Sequence, residues 1–122
     1  KRDLNTTLTN EISGASLATS QVTLPAGTYY IQAGACANQA QAHKVQWYNV
    51  TDAATEILGC NEQTRNSDNV SSRSLVAGRF TIAGTKVFEL QHRSSAVGNR
   101  GTACSFSGVV EVYADVQIWK VG

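Results

Sequence analysis

The chain has 122 residues and a mass of 13.0 kDa, which bounds it to one domain. Hydrophobic residues make up 42% and charged residues 16%, too apolar and too weakly charged for a disordered chain. Ten Lys and Arg against nine Asp and Glu leave a net charge of +1, so the basic excess that nucleic acid requires is missing.

Residues 1–14 are rich in Thr, Asn and Ser and read as a connecting segment, the end of a linker or stalk; one β domain is predicted over 15–122. Residues 20–24 alternate polar and apolar side chains before the turn Pro25-Ala26-Gly27. Over 28–36, Tyr29, Ile31, Ala33 and Ala35 share one face, with Thr28, Tyr30, Gln32 and Gly34 on the other. A loop is expected at 37–42. Residues 43–50 then set Val45 and Trp47 against Lys44, Gln46 and Tyr48. After a turn at 51–54, with at most one helical turn over 52–56, a strand is expected at 55–62 and a polar loop at 63–69. Residues 71–83 form a long strand with Val76, Phe80 and Ile82 on one face and Gly78 as a bulge. Gly84 turns the chain, and 85–93 sets Phe88, Leu90 and His92 against Val87, Glu89 and Gln91. A second polar loop follows at 94–103. Residues 107–121 are predicted as one strand, with Val110, Val112, Ala114, Val116 and Ile118 opposite Val109, Glu111, Tyr113, Asp115, Gln117 and Trp119.

Apolar residues nowhere recur at helical spacing. Many short strands with turn signals between them predict an all-β antiparallel sandwich or barrel. No run approaches the ~18 apolar residues of a membrane-spanning helix. No leader is visible at residues 1–5, and without any Met the chain reads as a piece of something longer.

Little catalytic chemistry is suggested. Cys36, Cys60 and Cys104 are odd in number and show no CxxC spacing, so free, mostly buried thiols are expected, with one disulfide and a spare thiol as the alternative. His43 and His92 fall within strand patterns, no G-x-S-x-G elbow exists, and His92 is expected to be a half-buried, hydrogen-bonded side chain. The nine acidic residues are scattered, with no sign of a glycosidase pair. Asp68, with Asn66 and Asn69, offers calcium-type oxygens, but one carboxylate is few, and a solvated loop is the expected reading. No enzyme, metal or cofactor is expected.

Several segments are familiar in order: Leu24-Pro25-Ala26-Gly27-Thr28-Tyr29-Tyr30-Ile31, Tyr48-Asn49-Val50-Thr51-Asp52, Gly78-Arg79-Phe80-Thr81-Ile82, Phe88-Glu89-Leu90-Gln91-His92-Arg93, Glu111-Val112-Tyr113 and Ile118-Trp119-Lys120. The series resembles the C-terminal head domains of bacteriophage tail fibres and tail needles. Those heads are similar to the complement globular head and tumour necrosis factor. The resemblance implies a TNF-like two-sheet jelly roll, a homotrimer, and a virion protein assembled in the host cytoplasm, where free thiols persist. It further implies attachment to a host cell-surface glycan or envelope protein, or else a purely structural trimerisation, capping or decoration role. Loops on such a scaffold carry recognition. The expected receptor-binding residues are therefore Arg65, Asn66, Asp68, Asn69, Arg93, Asn99 and Arg100. Tyr113 and Trp119 lie opposite an aliphatic row, so they, and Tyr48 by the same logic, are expected at the trimer interface.

Overall fold

The alternating segments become nine strands in a computed structural model that describes residues 1–104 and 106–122. They are β1 (Ser16–Ala18), β2 (Gln21–Leu24), β3 (Gly27–Asn38), β4 (Ala42–Asn49), β5 (Ala54–Leu58), β6 (Glu62–Gln63), β7 (Ser71–Ile82), β8 (Lys86–Ser94) and β9 (Ala114–Val121). There is no helix among the described residues. One sheet runs β1-β2-β8-β4-β5, with β6 also on β4; the other runs β7-β3-β9. Every pairing is antiparallel.

The period-2 pattern decides which faces meet. Tyr29, Ile31, Ala33 and Ala35 of β3 and Val76, Phe80 and Ile82 of β7 face inward, as the pattern predicts. Ala114, Val116 and Ile118 of β9 pack against them. The other sheet supplies Leu24, Val45, Trp47, Phe88 and Leu90, all fully buried. Trp47 and Phe88 stack at 5.3 Å between centroids, and Phe80 tilts onto Phe88 at 5.2 Å.

One edge of the sandwich is closed by backbone. Gly59 N–H donates to Val45 C=O (2.9 Å), and Cys60 N–H to Leu75 C=O (2.8 Å), so two residues bridge β4 and β7. The opposite edge of the smaller sheet is β9, whose only partner among the described residues is β3.

Several expectations need correction. The strand expected at 107–121 begins only at Ala114, and Val109, Val110 and Val112 are exposed. The reason lies in β3. Its ladder with β9 ends at Ala35, Cys36 N–H still reaches Tyr113 C=O, and Asn38 then bridges Asn99 instead. Residues 107–113 keep the alternation but pair with no strand among the described residues. The strand expected at 55–62 is cut by Gly59 into β5 and β6. Gly78 is no bulge: the β3–β7 register runs unbroken through Ile31 and Gly78. A Cβ there would sit 2.9 Å from Ile57 Cδ1, so the glycine makes room for Ile57. The register shift lies at Trp47/Tyr48 instead. The thiols are free, but Cys60 and Cys104 are exposed and Cys36 is only partly covered, because all three lie at strand ends or in loops.

Candidate functional site

The long loops collect at one end of the sandwich because β3, β6 and β8 all run out there. The β3–β4 turn, the loop after β6 and the long β8–β9 connection are tied together by Asn38. Its backbone exchanges two hydrogen bonds with Asn99 (2.8 and 2.9 Å). Its Nδ2 lies within reach of Asn69 Oδ1, Thr102 Oγ1 and Ser71 Oγ at 3.1–3.3 Å, and the residue is 1% exposed. Thr64, also buried, donates its amide to Gln41 C=O and accepts the Ala40 amide on its hydroxyl. Gln39 and Gln41 hold φ of 57° and 56°, a left-handed backbone that costs about 1–2 kcal/mol per non-glycine residue. The surrounding bonds hold that strained turn in place.

The predicted loop residues divide between the rim and an adjoining trough. Arg65 pairs with Asp68 at 3.4 Å, and both stand on the rim with Asn66. Asn69 is drawn into the Asn38 network. Asn99 and Arg100 line a cleft of about 220 Å³ together with Lys1, Arg2 and His92. Arg93 lines an adjoining cleft of about 420 Å³ with Lys44 and Gln91, and the two clefts share Lys1 and His92. Five of the chain's ten cationic side chains thus border one trough, although the net charge is only +1.

Residues 1–4 reach this site without forming a strand. β2 leaves β8 after Phe88, and Arg2 N–H takes over by donating to Leu90 C=O at 2.7 Å. The Arg2 guanidinium donates to Tyr113 C=O at 3.2 Å and faces His92 Nδ1 at 3.5 Å. His92 Nε2 meets His43 Nδ1 at 2.9 Å, and His43 Nε2 meets Ser72 Oγ at 2.8 Å. Arginine can only donate, so it sets the direction of the chain. Arg2 donates to His92, His92 to His43, His43 to Ser72, and Ser72 to Gln63 C=O. Both rings are neutral in this arrangement. His43 therefore offers Ser72 a proton rather than a lone pair, the reverse of what a general base must do.

Burial depresses the pKa of both rings. For His92 burial acts first, then Arg2, His43 and the terminal ammonium, bringing it to about 4. For His43, burial and Arg2 outweigh the opposing pull of Glu62. A histidine kept neutral in the fold contributes its full stability above its unfolded value near 6.5 and loses it as pH falls toward the folded value. Unfolding titrations from pH 7 to pH 4 will therefore show a loss of about 1–2 kcal/mol, discounted because solvent reaches the half-exposed ring. His92→Gln will flatten that slope. An equally steep slope in the variant would place the titration elsewhere.

The three expected interface aromatics lie in three places. Trp119 stands on the outer face of the β7-β3-β9 sheet, 48% exposed, against Tyr30 at 5.8 Å between centroids. Leu75 is exposed on the same face. Tyr48 is on the outer face of the other sheet, and Tyr113 precedes β9 and closes over Gly101. Sequence reasoning missed the His43–His92 pair and the docking of Arg2. The alternation put both histidines on core faces, but only the β4–β8 register, pairing Val45 with His92, brings them together. No protein-family model matches the chain, and no curated protein matches it.

Proposed function

We propose that the chain is a receptor-binding head of a phage tail fibre or tail needle, a homotrimeric TNF-like jelly roll that attaches to a host cell-surface component. The observation that carries this reading is the loop cluster pinned by buried Asn38, a rigid recognition end on a two-sheet scaffold. The strand order supports the jelly roll: the chain crosses between sheets from β2 to β3, β3 to β4, β6 to β7, β7 to β8 and β8 to β9. The direction of the Arg2–His92–His43–Ser72 chain favours binding over catalysis. Purified protein should bind envelope extracts of the host, and Asn99→Ala with Arg100→Ala should abolish that binding. Full binding by the double variant would remove the loop reading.

The trimer rests on Tyr30 and Trp119, large aromatics on a sheet face that a monomer leaves in water. Light scattering should give a mass near three times 13.0 kDa. Trp119→Ala should cost about 2 kcal/mol of assembly energy and make the melting temperature depend on concentration. A monomeric wild type whose melting point the mutation leaves unchanged would refute this contact. The aromatic face is separate from the loop end, which favours a second reading: trimerisation or capping alone. Under it, the loop double variant keeps its trimer and no envelope component binds.

A further inference from the structure

We infer that the trough beside residues 1–4 is an oxyanion site: it holds the phosphate or carboxylate group of an acidic saccharide between Arg2 and Arg100, with Lys44 and Arg93 placed for a second acidic group. This deepens the receptor reading and rests on it for the biological source of the ligand.

Charge distribution is the first ground. The other five cations are Arg65, Arg73, Arg79, Lys86 and Lys120, and three of these are in ion pairs with Asp68, Asp115 and Asp52. Of the five at the trough, Arg100 alone has an ion pair among the described residues, to Asp3 at 2.7 Å. Glu89 is a further carboxylate, beside Lys1, and it is engaged by Gln21 and Gln91. Like charges brought together cost Coulomb energy, most where solvent is partly excluded.

Arg2 shows that cost. Its guanidinium is partly buried, and its proton affinity is lowered first by burial and then by the neighbouring Arg100, which together outweigh the opposing pulls of Cys36 and Asp3. A group held this way against a second guanidinium gains on acquiring a counter-anion, and forked N–H donors suit a carboxylate or phosphate. His43 and Glu62 lie on the far side of His92 and do not neutralise the cleft.

Size narrows the ligand. A cleft of about 220 Å³ is below the roughly 300–1,000 Å³ of pockets that enclose a drug-sized molecule, so it admits one charged group and part of a ring. The adjoining cleft of about 420 Å³ continues past Lys1 towards Lys44 and Arg93, which suits a chain of residues carrying repeated charge. Asn99 at the mouth supplies amide donors and an acceptor for hydroxyl groups.

The test is calorimetry and NMR titration of the intact chain with glucose 6-phosphate, glucuronate, glucose and inorganic phosphate. Glucose 6-phosphate or glucuronate should bind, glucose should not, and affinity should fall as salt rises. Whichever of the two charged sugars binds tighter identifies the phosphate or carboxylate source. Arg100→Gln should weaken binding at least tenfold. Because Arg2→Gln also removes the bond to Tyr113, Lys44→Gln with Arg93→Gln is the second variant, and it should weaken a doubly charged disaccharide more than a singly charged sugar. Equal binding of glucose, or no binding of any anion, overturns the proposal. Inorganic phosphate binding as tightly as the sugar phosphate overturns its saccharide part. Envelope binding without anionic-sugar binding would sink this inference and leave the receptor reading standing; the converse would sink the receptor reading alone.

Discussion

Trp47→Ala will lower the stability of the fold by about 3–5 kcal/mol, the cost of truncating a large aromatic in a packed core. Trp47 is fully buried and stacks almost parallel on Phe88, which in turn supports Phe80 across the sandwich. Removing the indole takes away the aromatic ring that β4 contributes to this cluster. Trp47→Phe is the discriminating partner. The indole Nε1 is buried and finds no hydrogen-bond acceptor among the described residues, so its N–H contributes a desolvation cost with no return. Phenylalanine keeps a ring on Phe88 and removes that cost, and its net loss should stay below about 1.5 kcal/mol. Denaturant midpoints of the three proteins, at equal slope, measure both numbers. Equal losses for Ala and Phe would mean that stacking a ring on Phe88 is not what stabilises this part of the core.

Gly59→Ala should cost about 3 kcal/mol, an unusually large effect for a single methyl group. The new Cβ would fall 2.5 Å from Val45 C=O and 2.9 Å from Leu75 C=O. Both neighbours are backbone, on strands of different sheets, so neither can move without opening the closed edge of the sandwich. Gly84→Ala is the control: a Cβ there meets nothing within 4 Å, and its effect should be within about 0.5 kcal/mol of zero. If the two substitutions prove equally mild in thermal unfolding, the two-residue bridge between β4 and β7 is not tight.

How much of this was legible follows from what each signal depends on. The faces of β3, β4, β7 and β8 could be read because Tyr29, Ile31, Val45, Trp47, Val76, Phe80, Phe88 and Leu90 alternate with polar residues, and alternation is local. A strand also needs a partner, and partners are not local. Val110 and Val112 alternate as well as Val116 and Ile118 do, yet only the latter pair meets β3. Gly78 looked like a bulge because nothing in the sequence shows Ile57 lying over it. Of the candidate site, the polar loop that carries Asn99 and Arg100 was legible from its composition; that both line the cleft was not. Nor was Arg2: residues 1–4 dock through the Arg2 amide on Leu90, the Arg2 guanidinium, the Asp3–Arg100 ion pair and bonds of Lys1 and Leu4 to Thr19 and Ser20, with no periodicity to announce them.

The position of β9 has a consequence for how the molecule is made. β3 sits between β7 and β9, and β9 follows every other strand in the chain. On the ribosome, β3 and β7 emerge and pair while one side of β3 still lacks its neighbour. The second backbone edge of β3, from Thr28 to Ala35, is paired only when residues 114–121 clear the exit tunnel and close a loop of some eighty residues back to β3. Folding dominated by such distant pairings belongs to the millisecond-to-second range, and it leaves a bare strand edge exposed during synthesis. Truncation before Ala114 should therefore yield an insoluble chain rather than a smaller domain.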